Sequence, residues 1–312
     1  MTSVHVHERL HRFSYNRLSE HRQDETWTTN HWADPASRVM VIVDRQIVVT
    51  NSGVLWAAPN DVPDPLTSNR VHRILLGEWD GVARFAVVCD ADVELPDALA
   101  TYERVYLRSM LAVLPDNPDS AFVLHAIGIA EWLAATKFCP RCGNSLDVRK
   151  EGHELVCKEG HISFPRTDPA VIMIVTNGEP GAQDERALLA RNPAWPPGRY
   201  STLAGFCEPG ETLEDSVRRE VGEEVGVWID GEVTYFGNQP WPLPASLMLG
   251  FFGRTTNTEL NLDPQEIAEA AWFTRDELKA AVESGEVRVP GGVSISQSLI
   301  NHWYGGELPS GW

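Results

Sequence analysis

The sequence predicts a protein of the α+β / α/β class built in three parts. An N-terminal α+β domain covers residues 1–136, a small cysteine-bearing insert 137–166, and an α/β domain with a mixed sheet 167–312. Three observations predict this. Short β-branched runs come first and helical patterns follow them. Three cysteines then fall in a stretch that has only short apolar pairs and no core of its own. From Ala170 onward, short strands alternate with strongly periodic helices. At 312 residues, 43% of them hydrophobic, the chain is long enough for two packed cores.

The elements follow in order. Arg38 to Thr50 is rich in β-branched residues around a polar centre at Asp44 and Arg45, which predicts a hairpin. Asn60 to Asn69 is a Pro/Asp/Ser loop. Val71 to Leu76 and Val82 to Val88 flank Gly77-Glu78-Trp79-Asp80-Gly81, a second hairpin, and helical patterns lie near Thr101 to Leu114 and Ala121 to Lys137. In the third part, strands are predicted at Val171 to Val175, Ala187 to Ala190 and Thr202 to Phe206, then a helix over Thr212 to Val225. Strands near Thr234 to Gly237 and Leu247 to Phe252 and a helix over Thr274 to Glu283 complete it. There is no internal repeat and no low-complexity tract.

Bulk chemistry narrows the function. The formal net charge of -18 makes the chain a poor non-specific binder of nucleic acid, although bound cations or local arginines can still hold phosphates. The start, MTSVHVHERLHRF, lacks an apolar h-region, so no secretory signal is expected, and His5, His7 and His11 read as solvated. Ala121 to Ala135 carries His125 and Glu131 and is too short to span a bilayer, so no membrane partner is expected. Five cysteines in this length do not suggest a disulfide scaffold, and a reduced, cytoplasmic protein is expected. Cys89 and Cys207 read as buried small apolar residues.

The densest signal is GFCEPGETLEDSVRREVGEEVGV, Gly205 to Val227. Pro209-Gly210 is a turn, and Glu211 and Glu214 are read in the first helical turn, where the macrodipole favours acids. At about 100° per residue, Glu220, Glu223 and Glu224 share an arc of about 100°. Leu213, Val217, Val221 and Val225 form the adjoining apolar stripe. Three clustered carboxylates repel one another. The ordinary reading is a solvated acidic face. The sharper one is a site for a hard cation, since carboxylate oxygens suit Mg²⁺ or Mn²⁺. Spacing decides for the second: G-x5-E-x7-R-E-U-x-E-E-x-G-U is matched at Gly205, Glu211, Arg219, Glu220, Glu223, Glu224 and Gly226, with Val221 and Val227 in the apolar places.

This segment resembles the signature of the Nudix hydrolases. The resemblance implies an α/β/α sandwich with a mixed sheet, in which Glu220 and Glu224 are the main metal ligands and Glu223 assists. Arg219 would pair with an acidic neighbour and orient the helix. The implied reaction is attack of a metal-activated water on a phosphorus of a P–O–P bridge.

Substrate choice must come from elsewhere. Asn238-Gln239-Pro240-Trp241-Pro242-Leu243-Pro244-Ala245-Ser246 reads by itself as a proline-stiffened loop with Trp241 buried. It also resembles the S-Q-P-W-P-F-P-x-S element of the NADH pyrophosphatase (NAD-capped RNA hydrolase) subfamily, from which it departs at Asn238 and Leu243. That subfamily has the same order of parts. The resemblance implies cleavage of NADH or NAD to nicotinamide mononucleotide and AMP, removal of a 5′ NAD cap from RNA, and a homodimer with shared sites. It adds Glu266 and the main chain of Ala204 to the metal site. It makes Phe164, Phe206 and Ser296 substrate contacts beside Gln239 to Ser246. Without it, Glu266 is a helix-start acid after Pro264, and Phe164 and Phe206 pass as core residues.

In the insert, Cys139-Pro140-Arg141-Cys142-Gly143 is a C-x2-C knuckle, and Cys157 and His161 follow at C-x3-H spacing. Cys139, Cys142, Cys157 and His161 make a structural Zn²⁺ set of the Cys₃His type. His153 as the fourth ligand, or a ribbon that has lost its metal, are the alternatives. Two further functions compete at this level: a Nudix hydrolase for ADP-ribose or dinucleoside polyphosphates, and a non-catalytic nucleotide- or RNA-binding zinc-ribbon module. The intact Glu220, Glu223 and Glu224 speak against the latter.

Overall fold

The computed structural model describes residues 15–65, 68–114 and 117–309. The segment with His5, His7 and His11, and with it the expectation about a signal, lies outside the described residues. The described residues form two compact units: 15–167 together with 241–245, and 168–240 together with 246–309.

In the first unit, the chain runs through α1 (Glu25–Ala33), β1 (Arg38–Val43), β2 (Gln46–Thr50), β3 (Gly53–Val54), β4 (Trp56–Ala57), β5 (Val71–Trp79) and β6 (Val82–Cys89). It continues through α2 (Asp97–Ala100), β7 (Glu103–Tyr106), α3 (Leu107–Met110) and α4 (Ser120–Ala135). Its main sheet has the order β3-β2-β1-β6-β5, with β4 on β1 and β7 on β2. Both expected hairpins form. Asp44 and Arg45 turn the first with φ of 45° and 64°, the left-handed pair that a two-residue hairpin loop needs. In the second, the strand runs on through Gly77 to Trp79 behind a bulge, leaving only Asp80-Gly81 as the turn.

The helix expected over Thr101 to Leu114 is not formed. Glu103–Tyr106 is instead a strand whose Val105 stands opposite Ile47 of β2, and only one helical turn follows. The free edge of β2 offered these residues backbone partners, and such tertiary pairing overrides a short helical pattern. Helix α4 does form, and it is buried on most of its circumference. In its middle sits His125. Tyr15 Oη lies 2.7 Å from His125 Nδ1, and His125 Nε2 lies 3.1 Å from His153 Nε2. His153 Nδ1 lies 2.9 Å from the carbonyl of Glu151. With both rings neutral, as burial favours, one set of protons satisfies every contact: His153 donates to Glu151, His125 donates to His153, and Tyr15 donates to His125.

The insert forms a small antiparallel sheet of β8 (Leu146–Arg149), β9 (Glu154–Cys157) and β10 (Ile162–Ser163). Its tip is tied to β5 by Arg73, which donates to both oxygens of Glu151 at 2.7 and 2.8 Å.

The second unit is an α/β/α sandwich. Its elements are β11 (Asp168–Asn177), β12 (Arg186–Arg191), β13 (Leu203–Phe206), α5 (Leu213–Val225), β14 (Val233–Trp241), β15 (Ser246–Arg254), β16 (Glu269–Thr274), α6 (Arg275–Ser284) and α7 (Ile295–Tyr304). The sheet order is β14-β15-β11-β12-β16, with β13 on β11. It is mixed: β11 runs parallel to β15 and antiparallel to β12 and β13. The pleat of β11 sorts the layers. Val171, Met173 and Val175 face Val217, Val221 and Val225 of α5, while Ile172 and Ile174 face Leu278 of α6 and Leu299 and Ile300 of α7. β16 and α7 lay outside the sequence expectation. Among the described residues, no helix is long and apolar enough to cross a membrane.

The neutral histidine chain generates a pH prediction. Burial and then the charge of Arg22 lower the His153 pKa to about 4, and burial drives that of His125 well below its usual value. A depressed imidazole pKa contributes stability that is complete above about 6.5 and is lost as the pH falls towards about 4. The His153 shift alone corresponds to about 3 kcal/mol. Acid titration of unfolding should therefore show a loss of stability of at least that order between about pH 6.5 and 4, and His153→Gln should reduce it, leaving the part carried by His125.

Candidate functional site

The site is built around α5. Thr212 caps its N-terminus by accepting from the Asp215 N–H at 3.1 Å, and Gly226 ends it in the left-handed conformation, φ 70°. At Gly226 any Cβ would lie 2.7 Å from Cβ of Asn261, whose N–H donates to the carbonyl of Val225. Glu211 therefore stands just before the cap, not in the first helical turn. From there it accepts Arg219 Nε at 2.6 Å and Arg219 Nη2 at 2.8 Å, a two-pronged pair. Ser216 Oγ and the Glu208 N–H complete its shell at 2.6 and 2.9 Å. These donors, Arg219 first, hold the Glu211 carboxyl at about 2, and the same contacts raise the Arg219 pKa.

Arg219 also reaches Glu220 Oε1 at 2.8 Å, Glu223 Oε2 at 3.0 Å and the Phe206 carbonyl at 2.9 Å. It thus locks the loop before the helix, the strand β13 and two of the three expected carboxylates into one assembly. Glu220 and Glu224 are buried at 8% and 7% exposure, whereas Glu223 is on the exposed rim. The glutamates therefore differ: two face inward and one steadies Arg219. Gly205 is required for this. A Cβ there would fall 1.9 Å from Cδ of Glu220, so the carboxylate lies directly against the β13 backbone next to Ala204.

Among the described residues, Glu224 Oε2 is buried and has no hydrogen-bond partner. A carboxylate oxygen so placed is costly unless something positive meets it. Burial raises the Glu224 pKa to about 8, reinforced by the charges of Glu220, Glu266 and Glu223. Burial also raises Glu220, against the pull of Arg219. Glu266, exposed on the loop before β16, contributes its charge to both. The donor set is all oxygen, clustered and short of positive charge, which fits a hard divalent cation.

The other expected residues fall into groups. Phe206 and Phe164 are exposed at 59% and 63%, so neither is a core residue. Gln239 is buried, and its side chain is fully used: Nε2 donates to the Val293 carbonyl and Oε1 accepts the Ile295 N–H. Ser296 is buried at the start of α7, bonded to Ser201 Oγ and Thr202 Oγ1, each at 2.8 Å. Pro240 and Trp241 end β14, with Trp241 half-buried rather than fully buried, and Ser246 begins β15 opposite Asp168. Pro242 is buried, Leu243 and Ala245 are half-buried, and Pro244, after a cis peptide bond, is exposed. Asn238 donates to Tyr235 Oη.

In the insert, one ligand atom each from Cys139, Cys142, Cys157 and His161 lies within 4.8 Å of all the others. Cys139 Sγ is 3.6 Å from His161 Nδ1, and Cys142 Sγ is 3.6 Å from Cys157 Sγ. Tetrahedral Zn–S bonds of about 2.3 Å place sulfurs about 3.8 Å apart, so the set fits such an ion. The Asn144 backbone N–H, the largest cause, helps to lower the Cys142 pKa to about 6. His153 has both ring nitrogens engaged in the histidine chain, which removes it as the alternative fourth ligand.

The buried carboxylate pair also sets a pH dependence. A carboxyl whose folded pKa is raised contributes stability that is full below about 4.5 and is lost as the pH rises through about 8. Protein stripped of divalent cations should therefore lose melting temperature from pH 5 to pH 8.5. Adding Mg²⁺ should remove most of that loss, and Glu224→Gln should remove it without metal. A flat profile in the stripped wild type would contradict the placement of Glu224.

Residues 166–289 match the NUDIX domain family. The chain is 41% identical over 197 residues to NAD-capped RNA hydrolase NUDT12 of Macaca fascicularis, covering 59% of this chain but only 42% of that relative. It is 40% identical to the Homo sapiens NUDT12, covering 92% of this chain and 71% of the relative. With NAD-capped RNA hydrolase NudC of Mycobacterium tuberculosis it shares 34% identity over 94% of both chains. Sequence similarity that runs through both units, together with the geometry of α5, fixes the family: the chain belongs to the Nudix hydrolases, in the NADH pyrophosphatase (NAD-capped RNA hydrolase) subfamily.

Proposed function

We propose that this protein hydrolyses the diphosphate bond of NADH and NAD to nicotinamide mononucleotide and AMP, and removes the same group from the 5′ end of NAD-capped RNA. The observation that carries this is the buried, unpartnered Glu224 Oε2 beside Glu220 on a helix clamped by Arg219. The names of the relatives point to the substrate. In this reading Glu220, Glu223, Glu224, Glu266 and the Ala204 carbonyl hold Mg²⁺ or Mn²⁺, which would lower the pKa of a bound water and offset charge on the leaving phosphate. The protein's own task is positioning. Glu211 fixes Arg219, Arg219 fixes Glu220 and Glu223, and Gly205 leaves room for the Glu220 carboxylate. The exposed rings of Phe206 and Phe164 are each free to stack on a substrate ring. Gln239 and Ser296 serve this site by shaping the turn before α7 and its first residues, their polar atoms being already bonded. Residues Pro240 to Ser246 belong to the same reading as substrate-binding residues, as the family resemblance implies.

Zn²⁺ on Cys139, Cys142, Cys157 and His161 is structural, since four protein ligands close the coordination. The reducing cytoplasm is the compartment that suits these thiols. The homodimer implied by the family resemblance is part of the same reading.

Product analysis tests the reaction. With Mg²⁺ or Mn²⁺, NADH, NAD and NAD-capped RNA should each release the nicotinamide mononucleotide half. Glu220→Gln should lower the rate by roughly a hundredfold or more. Turnover of ADP-ribose alone would overturn the assignment. For the ribbon, metal analysis should give one zinc per chain, lost or weakened in His161→Ala; unchanged zinc in that variant would remove His161 from the ligand set.

A further inference from the structure

The loop that carries Glu266 is seated on the core under α5 by the buried Ile267 and by Leu260 and Leu262, yet Glu266 itself is exposed and must be held against Glu220 and Glu224 to serve the site. Hydrogen bonds fix the loop at both ends. At one end, the N–H groups of Asn261 and Asp263 donate to the carbonyls of Val225 and Glu224, the last residues of α5, at 2.8 and 3.0 Å. The other end meets the last residue of β12 and the one after it. The Ala268 N–H donates to the Arg191 carbonyl at 2.8 Å, and Arg191 Nη2 donates to Glu269 Oε1, also at 2.8 Å. Between these, Asn192 Nδ2 donates to the carbonyl of Glu266 itself at 3.2 Å.

Asn192 is the one side chain bonded to the Glu266 main chain among the described contacts, and it is itself fixed. Its Oδ1 accepts the Ala194 N–H at 2.9 Å, which sets the plane of the amide and turns Nδ2 towards Glu266. Neither bond belongs to a helix or strand ladder, and the sheet needs neither: β12 ends at Arg191 and β16 begins at Glu269. The amide spans the gap between the two strand ends where Glu266 sits.

We propose that Asn192 is a positioning residue of the metal site, holding the Glu266 backbone so that its carboxylate stays over the Glu220 and Glu224 pair. This rests on the reading of Glu266 as a metal ligand. Loss of one hydrogen bond of ordinary strength corresponds to about a three- to tenfold change in an equilibrium constant. Asn192 should therefore act on metal affinity and leave the rate at saturating metal nearly untouched.

The test is a double-mutant cycle on the full chain, using Asn192→Ser and Glu266→Gln and reading Mn²⁺ binding by calorimetry beside the Mn²⁺ dependence of NADH hydrolysis. Asn192→Ser keeps a hydroxyl acceptor for the Ala194 N–H but is too short to reach Glu266. The expected result is a three- to tenfold weaker Mn²⁺ midpoint in Asn192→Ser, with kcat recovered at high Mn²⁺. In the Glu266→Gln background, Asn192→Ser should have no further effect. A normal midpoint in Asn192→Ser, or an equal effect in both backgrounds, overturns the proposal. Unchanged metal binding in Glu266→Gln alone overturns instead the reading of Glu266 on which it rests.

Discussion

Two carboxylates, Glu220 and Glu224, are buried side by side on one helix, and much of the second unit is arranged to make that tolerable. Like charges in a low-dielectric setting raise each other's pKa and oppose folding. The compensation is layered. The apolar stripe of Val217, Val221 and Val225 anchors α5 to the odd-numbered face of β11, and this supplies the free energy that the acids oppose. Arg219 then offsets Glu220 and Glu223 without reaching Glu224 Oε2, which stays unpartnered. The charge is therefore neutralised on the structural side of the helix and left open on the working side.

Seen this way, the letters of the signature separate by physical task. Glu211 meets the buried pair through Arg219; its carboxyl, held at about 2, stays an anion well into the acid range and so keeps the clamp charged. Gly205 and Gly226 act through absence of a side chain, one for the Glu220 carboxylate, the other for the Asn261 crossing. Glu220 and Glu224 alone face inward. The spacing is strict because one arginine must reach a loop, a strand and two turns of a helix at once.

That sorting explains what was legible in the sequence. The α5 stripe, the two hairpins of the first unit and the gathering of Cys139, Cys142, Cys157 and His161 rest on local patterns that spacing carries. Trp241 lies half-buried at a strand end, a balance that composition does not encode. The segment from Glu103 to Tyr106 was misread as helix because its partner, β2, lies more than fifty residues earlier in the chain. Gln239 and Ser296 were matched to substrate, yet their polar atoms close on Val293, Ile295, Ser201 and Thr202, partners set by the tertiary fold. Asn192 carried no signal at all: its bond to Glu266 joins residues 74 apart.

The first unit solves a different problem with the same rules. Its helix α4 is almost wholly apolar, yet a histidine sits at position 125. It is kept neutral by a proton order that runs from Tyr15 through His125 and His153 to the Glu151 carbonyl. Glu151 is in turn held by Arg73 of β5. Because His153 and Glu151 belong to the cysteine-bearing insert, this chain of bonds fixes the insert to its own unit independently of the cluster of Cys139, Cys142, Cys157 and His161. His153 cannot serve both arrangements. Ligation needs a bare ring nitrogen aimed at the ion, and here one nitrogen accepts from His125 while the other donates to Glu151. His161 is therefore left as the histidine that stands with Cys139, Cys142 and Cys157, because the core has already claimed His153.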